Sequence, residues 1–125
     1  FEHDLPVRPE WTLSDRDSRD FTKIDFPEKL PTAFVCNCDE TAYNAIRQLT
    51  ALGYSVPNDI SVVGYDNYLI SEVSQPSITT INVDSGKMAE AAVKLLLNRI
   101  KNPKKQVETV TITGELIIKE SAAKI

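Results

Sequence analysis

The stretch Ile60-Ser61-Val62-Val63-Gly64-Tyr65-Asp66-Asn67 decides the fold, because it reads as a buried strand that delivers an acid to the edge of a sheet. Ile60, Val62, Val63 and Tyr65 are β-prone and nearly uninterrupted, the pattern of a parallel strand covered on both faces. Gly64 and the Asp66-Asn67 pair tolerate turn geometry and close the run. In an open parallel sheet, ligands bind outside the carboxyl ends of the strands, so Asp66 falls where a small molecule would be met. Its plain alternative is a turn former.

Working outward, Thr32-Ala33-Phe34-Val35-Cys36 reads as a second buried strand. Asp39 is expected to cap the helix that follows, with Glu40 in its first turn. Ala42, Ala45, Ile46, Leu49 and Leu52 recur at helical spacing, Gly53 ends the helix, and Val56-Pro57-Asn58-Asp59 turns into the opening strand. This is a β-α-β unit, for which a right-handed connection is expected. Downstream, a polar loop runs from Asn67 to Ser77, and Thr79-Thr80-Ile81-Asn82-Val83 is another strand. Asp84 or Ser85 can cap a helix through Ile100. Its apolar residues, Met88, Ala89, Ala92, Val93, Leu95, Leu96, Leu97 and Ile100, spread beyond one stripe and predict a heavily buried helix, stopped at Asn102-Pro103. The alternating runs 107–113 and 115–119, divided by Gly114, are two strands of a hairpin or one bent strand. Residues 1–31 say least: Glu10 to Leu13 could be a short strand, and 14–20 is a charge-dense loop. The expectation is one α/β lobe over residues 1–125 with a parallel doubly wound sheet.

At 125 residues the chain has room for one compact domain, and 42% hydrophobic with 26% charged residues is an ordinary globular composition. A net charge of −4 supplies no basic surface for nucleic acid, and Lys101, Lys104 and Lys105 around Pro103 read as a solvated turn. No apolar stretch approaches the roughly 20 residues of a membrane span. The start carries no signal-peptide pattern, and without an initial Met the chain reads as part of something longer. Cys36 and Cys38 should point to opposite strand faces, which disfavours a disulfide and suits a cytoplasmic protein with reduced thiols. Cys36-Asn37-Cys38 could suggest metal or redox chemistry, but His3 is the only histidine and there is no second cysteine pair. No metal site, cofactor or catalytic residue is therefore expected. A Ser-His-Asp triad would have to use His3, the four glycines form no phosphate loop, and Asp15, Asp17 and Asp20 lack a partner base.

Between Pro31 and Ser121 the sequence resembles the regulatory core of the lactose-repressor and galactose-repressor (LacI/GalR) family of bacterial transcription regulators. The resemblance rests on Pro31 to Cys36, on Ala45-Ile46-Arg47 with Leu49 and Leu52-Gly53, and on Val56 to Asn67. It continues in Pro76 to Ile81, in Met88-Ala89, Ala92-Val93 and Leu95-Leu96-Leu97, and in Leu116-Ile117-Ile118-Lys119-Glu120-Ser121. It implies the C-terminal lobe of a type I periplasmic-binding-protein-like core, whose two lobes close on a small effector such as a sugar, sugar phosphate or purine. It also implies operator DNA bound through a helix-turn-helix domain that this chain does not carry, with effector binding changing operator affinity. In an intact member the helix over 85–100 packs on the other lobe. Within this fragment the helix should dock on its own sheet or on a second copy, and the fragment alone should bind effector weakly or not at all. A fragment of an extracytoplasmic sugar-binding transport protein is the alternative.

The resemblance also assigns residues. Asp66 matches the family's acid that bonds effector hydroxyl or ring-nitrogen groups, a task that suits two acceptor oxygens. Cys38 stands where the family usually has an effector-reaching asparagine, so a weaker hydrogen-bonding group replaces an amide there. Trp11 could stack on a sugar face or be an ordinary core or surface tryptophan, and Ser85 falls near another effector position. Tyr43, Arg47 and Thr50 share a helix face turned from the core stripe, which with Val73 and Ser74 matches the family's homodimer contact.

Overall fold

Apolar spacing and turn chemistry bring the strand near residue 34 and the strand near residue 62 together as expected. The computed structural model describes residues 23–124. Strand β1 (Ala33–Val35) pairs in parallel with β2 (Ser61–Val63), Phe34 opposite Val62, and helix α1 (Asp39–Ala51) makes the connection. Ala42, Ala45, Ile46 and Leu49 of α1 bury against Phe34, Ile60, Val62 and Ile78, and the Phe26 ring tilts against Phe34 at 5.3 Å between centroids. Burying side chains of this size stabilises by roughly 1.5–3 kcal/mol each. Gly53, at φ 92°, supplies the left-handed residue that ends α1.

The pair extends into a wider sheet. Strand β3 (Thr80–Asn82) runs beside the end of β2 through parallel bridges Val63–Thr79 and Asp66–Asn82, and pairs antiparallel with β4 (Glu115–Ile117). A return segment staples this junction: the Ser121 hydroxyl donates to Val62 O at 2.5 Å and accepts from Thr79 N at 2.9 Å, and Ser121 is fully buried. Next to it, Glu120 Oε2 accepts from Ser77 N at 3.0 Å and Ser77 Oγ at 2.9 Å, and the backbone bond from Ser77 leads in holding its carboxyl below the usual value. A lowered carboxylate stabilises the fold above the unfolded-state value, and that stabilisation is lost as pH falls through the folded one. The melting-temperature gap between wild type and Glu120→Gln should therefore be present at neutral pH and close as pH drops below the ordinary glutamate range; a pH-independent gap would remove this tie.

Several expectations are corrected. Strand β2 is buried on both faces, Ser61 7% and Val62 0% exposed, but β1 is covered on one face only: Phe34 is buried under α1 and Val35 on the other face is 84% exposed. The loop over 67–77 contains a short helix, α2 (Leu69–Val73), beside α1. Helix α3 (Ser85–Lys101), predicted to be heavily buried, contains no buried residue: Met88, Val93, Leu96, Leu97 and Ile100 are all about half exposed or more, so it does not dock on this sheet. The run 107–113 forms no strand, so only the second of the two alternating runs pairs.

Candidate functional site

The residues that follow β2 and β3, one face of α3 and the segment 110–114 surround one cleft. Gly64 N donates to Thr79 O at 2.8 Å and Asp66 N to Ile81 O at 3.0 Å, which brings the end of the opening stretch alongside β3. Asp66 and Asn67 both take left-handed backbone, φ 102° and 57°, where most side chains clash and Asn or Asp are tolerated. Consecutive left-handed residues of this kind cost on the order of 1–3 kcal/mol each and recur where a site needs one particular orientation.

The cleft, about 420 Å³, is lined by Tyr65, Asp66 and Asp84, with Met88, Ala91 and Leu95 of α3 as an apolar wall. Its two carboxylates are not equivalent. Asp84 caps α3, accepting from Lys87 N at 2.8 Å and pairing with Lys87 Nζ at 2.9 Å; the backbone bond first, then the Lys87 side chain, holds its carboxyl below the usual range. Asp66 receives no side-chain or backbone donor among the described residues. One uncommitted carboxylate beside an aromatic ring and an apolar wall can accept from hydroxyl or N–H groups of a ligand while its carbon face lies on hydrophobic surface. Tyr65, 44% exposed, had been legible only as a strand residue.

Asp39 is the larger correction. Cys38, not Asp39, is the N-cap of α1, and its side chain makes no capping bond. Asp39 is the first helical residue and is fully buried. Its Oδ1 accepts from Thr80 Oγ1 at 2.6 Å and its Oδ2 from Tyr68 N at 2.7 Å, while Asp39 N donates to Tyr65 O at 2.9 Å. One carboxylate thus ties the first helix to β3 and to the start of α2, behind the Asp66 turn. It also explains Gly64, where a Cβ would be driven into Asp39 Oδ1, with Asp39 Cα and Ile78 Cγ2 each 3.2 Å away.

The other candidates divide. Cys38 is half-buried with its sulfur 3.4 Å from Thr41 Oγ1, and it does not line the cleft. Ser85 is the exposed first residue of α3; Asp84 before it is the one that faces the cleft. Trp11 lies outside the described residues. Tyr43 is half-buried against the core, with the Arg47 guanidinium 5.7 Å from its ring centroid, and the Thr50 hydroxyl is turned back onto Ile46 O at 2.8 Å. Val73 is 62% exposed, whereas Ser74 is 4% exposed, so of this pair Val73 presents its side chain outward. No group of His, Cys, Asp or Glu suited to a metal occurs among the described residues. No helix among them is long and apolar enough to cross a membrane.

Residues 2–122 match the periplasmic binding protein-like domain. The HTH-type transcriptional repressor PurR of Mannheimia succiniciproducens is 42% identical over 98 residues, 78% of this chain and 29% of that protein. PurR of Actinobacillus pleuropneumoniae is 37% identical over 127 residues, 96% of this chain and 38% of the relative. The chain therefore spans well under half the length of these relatives. Among solved structures, a CelR–cellobiose complex aligns with a TM-score of 0.68 at 30% identity, over 73% of this chain and 28% of that one. A LacI family regulator from Enterococcus faecalis with bound ribose aligns at 0.68 and 33%, over 77% and 36%. The match across nearly the whole chain, the named relatives and the parallel β-α-β core agree: the chain belongs to the periplasmic binding protein-like domain family, among its LacI/GalR-type regulators.

Proposed function

We propose that this chain is the effector-binding and dimerising lobe of a cytoplasmic LacI/GalR-type transcriptional regulator, and that it is not an enzyme. The observation that carries the reading is Asp66, held in left-handed backbone at the carboxyl end of β2 with an uncommitted carboxylate in the cleft. A sugar, sugar phosphate or purine base would meet that carboxylate through hydroxyl or N–H donors, and Tyr65 would face its ring. Ribose and cellobiose in the aligned regulators support a sugar. Operator DNA would be bound through a domain outside this chain. Repressors among the relatives favour this reading over an extracytoplasmic transport protein. The exposed apolar residues of α3 would be covered by the second lobe, closing the cleft from the other side. Calorimetric titration of the full-length protein with sugars, phosphorylated sugars and purine bases tests the reading: saturable binding of one class supports it, and binding of none of them overturns it.

The homodimer surface is proposed on α1 and the end of α2. Arg47 over Tyr43 offers an aromatic and a guanidinium, side chains that dominate interface energetics, with Val73 beside them on the next helix. Tyr43→Ala or Arg47→Ala should weaken self-association about 10-fold, on the order of 1–2 kcal/mol, in sedimentation of the full-length protein. Unchanged self-association in both variants would move the interface elsewhere.

A further inference from the structure

Lys119 sits at the end of an alternating strand run, where a lysine ordinarily extends into solvent, yet its side chain is only 9% exposed. Its backbone N donates to Thr79 Oγ1 at 2.9 Å, which anchors the residue against β3. The ammonium then reaches Asn67 Oδ1 at 3.0 Å, Ser71 Oγ at 2.8 Å and Glu72 Oε1 at 2.6 Å. An ammonium has three donors and no acceptor, so every hydrogen is used and the head has one orientation. All three partners lie in the turn and short helix that follow Asp66.

Asn67 is thereby gripped from several directions. Lys119 holds its side-chain oxygen, its Nδ2 donates to Asn82 Oδ1 at 3.2 Å, and its backbone N donates to Thr80 Oγ1 at 3.3 Å. That grip falls on the second of two consecutive left-handed residues, the first being Asp66. Side-chain direction follows from backbone conformation, and a hydrogen bond weakens steeply once misaligned. Lys119 itself does not line the cleft.

We propose that Lys119 is the positioning residue of the effector site: by pinning Asn67 it fixes the turn that aims the Asp66 carboxylate, and so sets effector affinity without touching the effector. The inference rests on Asp66 being the effector contact. Lys119→Met, which keeps the length of the stem and removes the charge and donors, tests it in the full-length regulator. Amide hydrogen exchange at residues 66–71 should accelerate about 10-fold or more while the amides of α1 stay unchanged. Affinity for whichever of ribose, cellobiose or hypoxanthine the wild type binds should fall about 10-fold by calorimetry. Because the effect acts through Asp66, the double variant with Asp66→Ala should bind no more weakly than Asp66→Ala alone, whereas general damage would add to it. Unchanged exchange at 66–71, or fully additive losses, overturns the proposal. Should Lys119→Met fail to fold, Asn67→Gly cuts the same link while keeping left-handed backbone accessible, and accelerated exchange there serves instead. If Asp66→Ala leaves affinity unchanged, the reading of the site fails, and the exchange result still decides whether Lys119 holds the turn.

Discussion

Replacing Asp39 with Ala should destabilise the full-length protein by about 3–4 kcal/mol, the cost of stranding hydrogen-bond partners in a buried site. The carboxylate is fully buried and spans three elements: its own helix, Thr80 on β3 and the Tyr68 amide at the start of α2. Removing it leaves the Thr80 hydroxyl and the Tyr68 N–H facing a void that neither can fill. Asp39→Asn keeps one acceptor oxygen but turns donor hydrogens toward one of these groups, and should cost about 2 kcal/mol. Gly64→Ala attacks the same contact from the opposite side, since the new Cβ would collide with the Asp39 carboxylate and crowd Ile78 as well, and should cost about 2–3 kcal/mol. The measurement is the denaturant midpoint at unchanged slope. A loss under about 1 kcal/mol for Asp39→Ala would mean that this carboxylate is not the cross-link between α1, α2 and β3.

Asp39 also shows where sequence reading stops. Helix α1 and its two flanking strands were legible because their signal is periodic and local: the apolar face at 42, 45, 46 and 49 is the face that is buried. The role of Asp39 was misassigned because capping needs only the residues beside it, while its real partners lie 29 and 41 residues away. Gly64 was legible as a glycine of a turn, but its cause is the approach of that distant carboxylate. Helix α2 spans five residues, too few for helical spacing to register, and so it read as loop. The apolar pattern of α3 predicted burial, but spacing within a helix carries no information about which surface would cover it, and none of the described residues buries it. Lys119 was invisible as a buried group, because alternation at a strand end assigns a charged residue to solvent by default. The position of Asp66 was legible for the opposite reason, since the apolar run of β2 and the turn chemistry that closes it are adjacent in sequence.

Asp66→Ala in the full-length regulator should weaken effector binding about 100-fold, close to 3 kcal/mol, with little loss of stability. A carboxylate that accepts two hydroxyl or N–H donors contributes about 1.5–3 kcal/mol per charge-assisted bond, and the truncated site leaves the ligand's donors unpaired inside a partly apolar cleft. The unliganded fold should hardly register the change, because no described residue donates to that carboxylate. The complication is the backbone: at φ 102° an alanine Cβ is strained, so Asp66→Ala could shift the turn as well as remove the oxygens. Asp66→Asn separates the two, since Asn tolerates left-handed backbone and keeps one acceptor while losing the charge. It should lose about 10-fold in affinity with no change in hydrogen exchange at residues 66–71. If both variants bind the effector as tightly as wild type, the cleft beside Tyr65 is not the effector site. If Asp66→Ala weakens binding while Asp66→Asn does not, the backbone of the turn, rather than the carboxylate charge, is what the effector requires.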